Sequence, residues 1–230
     1  MSKPIAAISW SGGKDSCLAL LRAWPNYDVR LMVTMFDEAG ERSRSHGLRP
    51  EVIAAHADRL GLAIVSEGCT WDTYEQAFGR ALGMAALRGC EHVIFGDIFE
   101  DSHRAWTERL AASAGLIPQQ PLWGESTAHL VQEFLDRGGR ASIVTVNSQW
   151  LDARWLGRSL SAEAIEELTA LDVDPCGERG EYHTVVTDCP LFASPLVLEP
   201  GVIVTRDGCH AIDLRPATSD RSRHDSAARR

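Results

Sequence analysis

Uninterrupted apolar runs recur along the first two thirds of the chain, at IAAISW (5–10), VRLMVTMF (29–36), LAIVSE (62–67), HVIFGD (92–97) and ASIVTVN (141–147). A run without polar alternation reads as a strand covered on both faces. The stretches between them, CLALLRAW (17–24), PEVIAAHADRLG (50–61), TYEQAFGRALGMAALRG (73–89), RAWTERLAASAG (104–115) and TAHLVQEFLDRG (127–138), place apolar residues at helical spacing, and several close on glycine. This alternation predicts an α/β fold, a parallel sheet with helices on both faces that binds ligands at the carboxyl ends of its strands. After about residue 150 the pattern changes. A helix-like SAEAIEELTAL (161–171) and a glycine-rich acidic DPCGERGEYHT (174–184) precede LVLEPGVIVTRDGCHAIDL (196–214), which reads as strands joined by turns at Pro200-Gly201 and Asp207-Gly208. The expected division is a nucleotide-binding domain over 1–150, a smaller α+β acceptor region over 151–214, and a basic tail over 215–230.

Composition narrows the classes. At 230 residues the chain can bury a real core without staples, and its six cysteines form no C-x-x-C pair, so neither a zinc site nor a disulfide framework is indicated. No run reaches the length of a membrane span and the N-terminal stretch is too short for a signal peptide, so a cytoplasmic protein with no membrane partner is expected. The net charge of -9 argues against broad nucleic-acid affinity. From Arg215 onward five arginines face two aspartates without apolar periodicity, and that composition predicts a disordered, solvated tail.

Chemistry concentrates first in ISWSGGKDSCLALL (8–21), where a strand passes through two glycines, a lysine, an aspartate and a serine into a helix. Glycines let the backbone approach an anion, and a helix N-terminus attracts negative charge. Ser11, Gly12, Gly13, Lys14, Asp15 and Ser16 are therefore candidate phosphate-binding residues, with hydroxyl donors at Ser11 and Ser16 and a cation at Lys14. Asp15 beside phosphates needs a reason, either as a helix cap or as a group facing magnesium. The loop is neither G-x-x-x-x-G-K-[ST] nor G-x-G-x-x-G, which removes the main support for a kinase or switch GTPase.

A second concentration, GDIFEDSHRAWTERL (96–110), begins at the carboxyl end of a strand and presents Asp97, Glu100 and Asp101, as groups that hold magnesium or orient an amine. The third, CGERGEYHTVV (176–186), brackets Glu178, Arg179, Glu181, His183 and Thr184 with glycines, an acceptor pocket in which His183 or a glutamate could move a proton. The tryptophans at 106, 150 and 155 sit in or beside apolar helical stretches and are expected to pack the core. The strands after residue 196 are the candidate place for self-association into a homo-oligomer.

SGGKDS resembles the PP-loop of the adenine nucleotide alpha-hydrolase-like superfamily, which implies a Rossmann-like fold and cleavage of ATP between the alpha and beta phosphates. Together with SHGLRPEVIAAHADRLGL (45–62), FGDIFEDSHR (95–104), IPQQPLWG (117–124), WLGR (155–158) and DPCGERGEYHTVVTDCPLF (174–192), the chain is similar to the diphthine-ammonia ligase family nearly to residue 214. That resemblance implies diphthamide biosynthesis: ATP and magnesium convert the carboxylate of diphthine on elongation factor 2 to an acyl-adenylate, and ammonia displaces AMP. It makes the SGGKDS residues with His46 and Gly96 the ATP side. Asp97, Glu178, Glu181 and His183 become the catalytic groups, Glu100, Asp101 and Thr184 the acceptor contacts, and Asp15 the candidate metal ligand. The stretch ERSRSHGLRP (41–50) departs from the family pattern and, through Arg44 and Arg49, gives the mouth a different character. The alternatives are an ATP-binding sensor without turnover, or adenylation of another small molecule or of tRNA. Thiolation of tRNA would need a reactive cysteine, for which Cys176 is the residue to test.

Overall fold

The computed structural model describes residues 2–217. In chain order these form β1 (Ile5–Ser9), α1 (Lys14–Ala23), β2 (Asp28–Asp37), α2 (Pro50–Leu60), β3 (Ala63–Cys69), α3 (Tyr74–Leu87), β4 (His92–Ile94), α4 (Asp101–Ser113), β5 (Ile117–Gln119), α5 (Thr127–Asp136), β6 (Arg140–Asn147), α6 (Ala162–Ala170), β7 (Tyr182–Asp188), β8 (Leu198–Arg206) and β9 (Cys209–Pro216). The first five strands make a parallel sheet in the order β3-β2-β1-β4-β5. Strand order reverses between β1 and β4, and a crevice opens at such a switch point beyond the carboxyl ends of the strands. The remaining four make an antiparallel sheet in the order β7-β6-β9-β8.

Apolar cover on both faces of the parallel sheet explains its continuous hydrophobic strands. One face packs Val93 and Phe95 against Phe78, Ala81 and Leu82 of α3 and Leu110 of α4. The other packs Ile8 and Met32 against Leu18 of α1 and Ile53 of α2, and the same cluster continues through Phe134, Trp155, Tyr182 and Val185 into the antiparallel sheet. On this second face the two sheets thus share one core. No helix among the described residues is long and apolar enough to cross a membrane.

The structure draws the internal division earlier than residue 150. Strand β6, which the strand–helix alternation put in the first domain, has antiparallel partners on both sides, β7 and β9. An apolar run shows only that a strand is buried, not which sheet takes it. The alternation also missed β5, three residues long with Pro118 inside it; among the described residues it pairs only with β4, and proline is tolerated at such a sheet edge. The expected tail starts three residues too soon, since Arg215 and Pro216 belong to β9 and Ala217 is buried. The rest of that expectation, 218–230, lies outside the described residues.

Candidate functional site

The SGGKDS turn leaves β1 at the switch point. Gly12 has φ +87°, and a Cβ on it would come within 2.5 Å of Leu48 Cδ1; a Cβ on Gly13 would meet the His46 ring at 2.2 Å. The chain therefore needs glycine twice, once for the left-handed backbone and once for the histidine packed on it. Gly13 precedes α1 in an extended conformation with no side-chain cap, which leaves helix N–H groups for a ligand. Ser11 Oγ accepts from Gly13 N at 3.2 Å, and Ser16 Oγ donates to Gly13 O at 2.9 Å, so both hydroxyls are set by the turn itself.

Beyond this turn lies a cavity of about 370 Å³. Of the residues singled out above, Ser11, Lys14, Asp15, Ser16, His46, Gly96, Asp97, Glu178, His183 and Thr184 line it. Four segments far apart in sequence supply them, in order the SGGKDS turn, the His46 loop, the end of β4 and residues 178–184. The first and last of these are joined by backbone donors: Val186 N donates to Gly12 O at 2.8 Å, and Lys14 N donates to Thr184 Oγ1 at 3.1 Å. Lys14 is 3% exposed, and its Nζ bonds both Asp15 Oδ2, at 2.9 Å, and the Cys176 carbonyl. Burial pulls the Lys14 pKa down, but the Asp15 carboxylate and weaker neighbours outweigh it and the ammonium is held charged.

The two histidines of the site stack face to face, His46 on His183, with ring centroids 4.7 Å apart. His46 Nδ1 lies 2.8 Å from the Thr184 carbonyl, so Nδ1 carries the proton and donates. Burial lowers the His46 pKa to about 4 against the pull of that bond, and burial followed by His46 and Lys14 lowers His183 to about 3. Both rings are neutral at pH 7. Glu178 stands exposed at the rim, yet the surrounding walls withhold enough solvent to raise its carboxyl to about 7, helped by Asp15.

The third segment is the end of β4. A Cβ on Gly96 would sit 2.9 Å from Asp15 C and Ser16 N, so this backbone lies directly against the start of α1. Asp97 follows, its Oδ1 3.1 Å from His103 Nδ1 and its Oδ2 3.4 Å from Gln120 Nε2. Gln120 Nε2 also donates to Thr107 Oγ1 at 2.9 Å.

Other expected site residues lie elsewhere. Glu181 is fully buried away from the cavity, where it accepts from Asp174 N, Arg179 N and Arg179 Nε at 2.8–2.9 Å. A fully buried carboxylate in a cradle of three donors braces the 174–181 loop and does not face the cavity. Glu100 and Asp101 are exposed at the start of α4, with Ser102 Oγ donating to Glu100 Oε1 at 3.0 Å, and neither lines the cavity. Gly12 and Gly13 shape the turn and do not line the cavity wall. Cys176 is buried with its thiol pKa pushed up by burial, partly offset by Lys14, the reverse of what a nucleophilic cysteine needs.

Sequence reasoning missed His103, which lines the cavity, as does Trp106 behind it, stacked on Phe78 at 5.6 Å. His103 stood inside a quoted motif, but its one signal, a histidine in the first turn of a helix beginning four residues after an aspartate, is weak without the fold. Trp155 packs the core as expected, Trp106 packs against the core with one side and lines the cavity with the other, and Trp150 is 38% exposed beneath Arg179. At the mouth, Arg49 Nε and Arg42 Nη1 pair with Asp213 at 2.6 and 2.7 Å and tie the His46 loop to β9, while Arg44 lies over the Trp71 ring at 3.9 Å.

Comparison with known proteins adds a second line of observation. Residues 4–118 match the family model of the diphthamide synthase N-terminal domain, and residues 126–203 that of the diphthamide synthase C-terminal domain. The chain is 32% identical over 215 residues to the diphthine–ammonia ligase of Rattus norvegicus, covering 82% of this chain and 80% of that protein. It is 27% identical to the Schizosaccharomyces pombe diphthine–ammonia ligase over 84% of this chain and 36% of that protein, and 31% identical to the Bos taurus one over 60% and 53%. The chain thus spans about a third to a half of the length of these last two relatives. A solved structure described as a predicted subunit of tRNA methyltransferase from Methanocaldococcus jannaschii superposes with a TM-score of 0.44 and 16% identity over 81% of this chain and 98% of its own. The fold assignment rests on the two sheets described above and takes nothing from so distant a likeness.

Proposed function

The chain belongs to the diphthamide synthase family, and on that premise we propose that it is an ATP-dependent ligase that activates a carboxylate as its acyl-adenylate, releases pyrophosphate, and forms the amide with ammonia. The observation that carries this reading is that one cavity is lined both by the phosphate-binding turn and by the GERGEYHT segment of the second sheet. A nucleotide site alone would need only the first.

The residues divide the work. The start of α1 provides backbone N–H donors for phosphate oxygens beyond Lys14 N, which Thr184 already takes; the Ser11 and Ser16 hydroxyls, bonded within the turn, hold it in shape, and the charged Lys14 adds a fixed positive field. Asp15 suits magnesium: it lines the cavity and its Oδ1 has no hydrogen bond among the described residues, while Oδ2 is taken by Lys14. The ion would neutralise charge on the departing pyrophosphate. Gly96, pressed against the Asp15 backbone, keeps the β4 end close to the reacting phosphate. The neutral His46 and His183 offer ring nitrogens without attracting a second anion. Glu178, with its carboxyl near 7, can exchange a proton at the rim at neutral pH. A carboxylate is a poor electrophile and an acyl-phosphate anhydride a good one, so activation by ATP precedes attack by ammonia.

The test supplies ATP, magnesium and ammonium with and without an elongation factor arrested at diphthine. Acceptor-dependent AMP release, with the acceptor lighter by about one dalton as hydroxyl is replaced by amino, is the expected result. AMP without that change moves the reading to another carboxylate, and bound ATP with no AMP overturns the ligase reading in favour of a sensor.

A further inference from the structure

The Asp97–His103 pair has the geometry of a base held in place by a carboxylate. Asp97 Oδ1 lies 3.1 Å from His103 Nδ1, so Nδ1–H donates and Nε2 keeps its lone pair. Nε2 has no hydrogen-bond partner among the described residues, and His103, half exposed, lines the same cavity as the phosphate turn. The carboxylate is fixed on its other side by Gln120, itself fixed by Thr107, and the imidazole leans on Trp106 with ring centroids 5.3 Å apart. Asp97 follows directly on Gly96, the residue whose backbone touches the start of α1, so the pair stands next to the place where AMP forms and leaves.

From this geometry we propose that His103 is the base of the amide-forming step, with Asp97 as its positioning residue, and that it takes the proton released when the nitrogen nucleophile attacks. This inference rests on the ligase reading above. As the nitrogen lone pair of ammonia forms the C–N bond, the acyl C–O bond to AMP breaks and its electron pair leaves on the AMP phosphate. One proton passes from nitrogen to His103 Nε2, which balances the step.

The other candidates fit worse. His183 and His46 are driven toward the neutral form and are weak bases, while Glu178 faces Asp15 and Lys14 on the phosphate side. His103 is the imidazole of the cavity whose basicity is raised, first by the Asp97 hydrogen bond, against burial, and then by Glu100 and Glu178. Those are the charged groups that face it from the β4 end, its own helix turn and the 176–180 loop; on α3, Glu75 is already paired with Trp106 and Arg109.

The experiment separates the two half-reactions, with the elongation factor arrested at diphthine as acceptor. ATP–pyrophosphate exchange reads adenylation, and amide formation reads the second step. In His103→Gln, exchange should stay within about threefold while amide formation falls about 100-fold, the acid limb of its pH profile disappears, and added imidazole restores part of the rate. Asp97→Asn should lower the amide rate by about tenfold and move that acid limb to lower pH, because the imidazole loses its anionic partner. An equal fall in both half-reactions, or an unchanged amide rate and pH limb in His103→Gln, overturns the assignment while leaving the ligase reading intact. Absence of exchange and of AMP in the unsubstituted protein overturns the ligase reading and this inference with it. His103 is 49% exposed on the first turn of α4, so the glutamine variant is expected to fold.

Discussion

The two sheets contribute to the cavity in different currencies. From the parallel sheet and its helices come backbone features, the left-handed Gly12, the start of α1 and the Gly96 strand end against it, together with the Lys14, Asp15, Asp97 and His103 side chains. From the antiparallel sheet and the loop before it come side chains, Glu178, His183 and Thr184, whose positions depend on a buried glutamate and a bonded strand edge. Backbone placement follows from local sequence, whereas side-chain convergence follows from packing. The difference teaches that phosphate binding and acceptor chemistry should fail separately.

The largest effect should come from pressing the two backbones of the parallel sheet apart. In Gly96→Ala the new Cβ would lie 2.9 Å from backbone atoms of Asp15 and Ser16, which cannot swing aside as a side chain can. A shift of about 1 Å at the phosphate turn is expected to cut AMP formation about 100-fold, read as the initial rate. Next is the brace of the other region. Glu181→Ala removes the acceptor of two backbone N–H groups and of Arg179, and should cost about 2–3 kcal/mol in urea unfolding. If the comparison holds, its folded fraction still binds ATP with near-native affinity, read by calorimetric titration, while amide formation drops.

A pH effect sharpens the seam between the regions. His56 is 0% exposed; its Nδ1 accepts from Trp10 Nε1 at 3.2 Å and its Nε2 donates to the Val186 carbonyl at 2.7 Å, so it joins β1 and α2 to β7 as a neutral ring. Burial lowers its pKa from 6.5 to about 4, despite the Val186 bond. The unfolded chain therefore takes a proton below pH 6.5 that the folded one refuses until about 4, and stability falls as pH falls through that window. The contribution of one such histidine is a slope of up to about 1.4 kcal/mol per pH unit. In His56→Gln that part of the slope should vanish, measured as the difference in unfolding free energy between pH 7 and pH 5.

The smallest expected effect is at the mouth. Asp213 accepts from Arg49 and Arg42, and those bonds, led by Arg49, hold its carboxyl at about 2 from an ordinary value of 3.8. Asp213→Asn should cost about 1 kcal/mol near neutral pH, less at high salt. A depressed carboxyl stabilises above its unfolded pKa and stops doing so as pH falls through its folded one, so the difference from the parent should close between pH 4 and pH 2.

The local patterns of this chain, by themselves, determined four of the five parallel strands, the helices between them and the SGGKDS turn, because apolar period and glycine spacing act over a few residues. They also marked His183, Thr184, Glu178 and Asp97 as chemistry in two further stretches. Only the tertiary structure decided that β6 leaves the parallel sheet for the antiparallel one, and that Glu181 is a brace while its near neighbour His183 faces the cavity. In the 174–181 loop, alternation says nothing about which carboxylate turns inward. The pairing of Asp97 with His103 was likewise beyond sequence, since it depends on the angle at which α4 leaves the end of β4. Contacts between segments more than a hundred residues apart, such as Lys14 with Thr184, arise from a shared core that no window of the sequence contains.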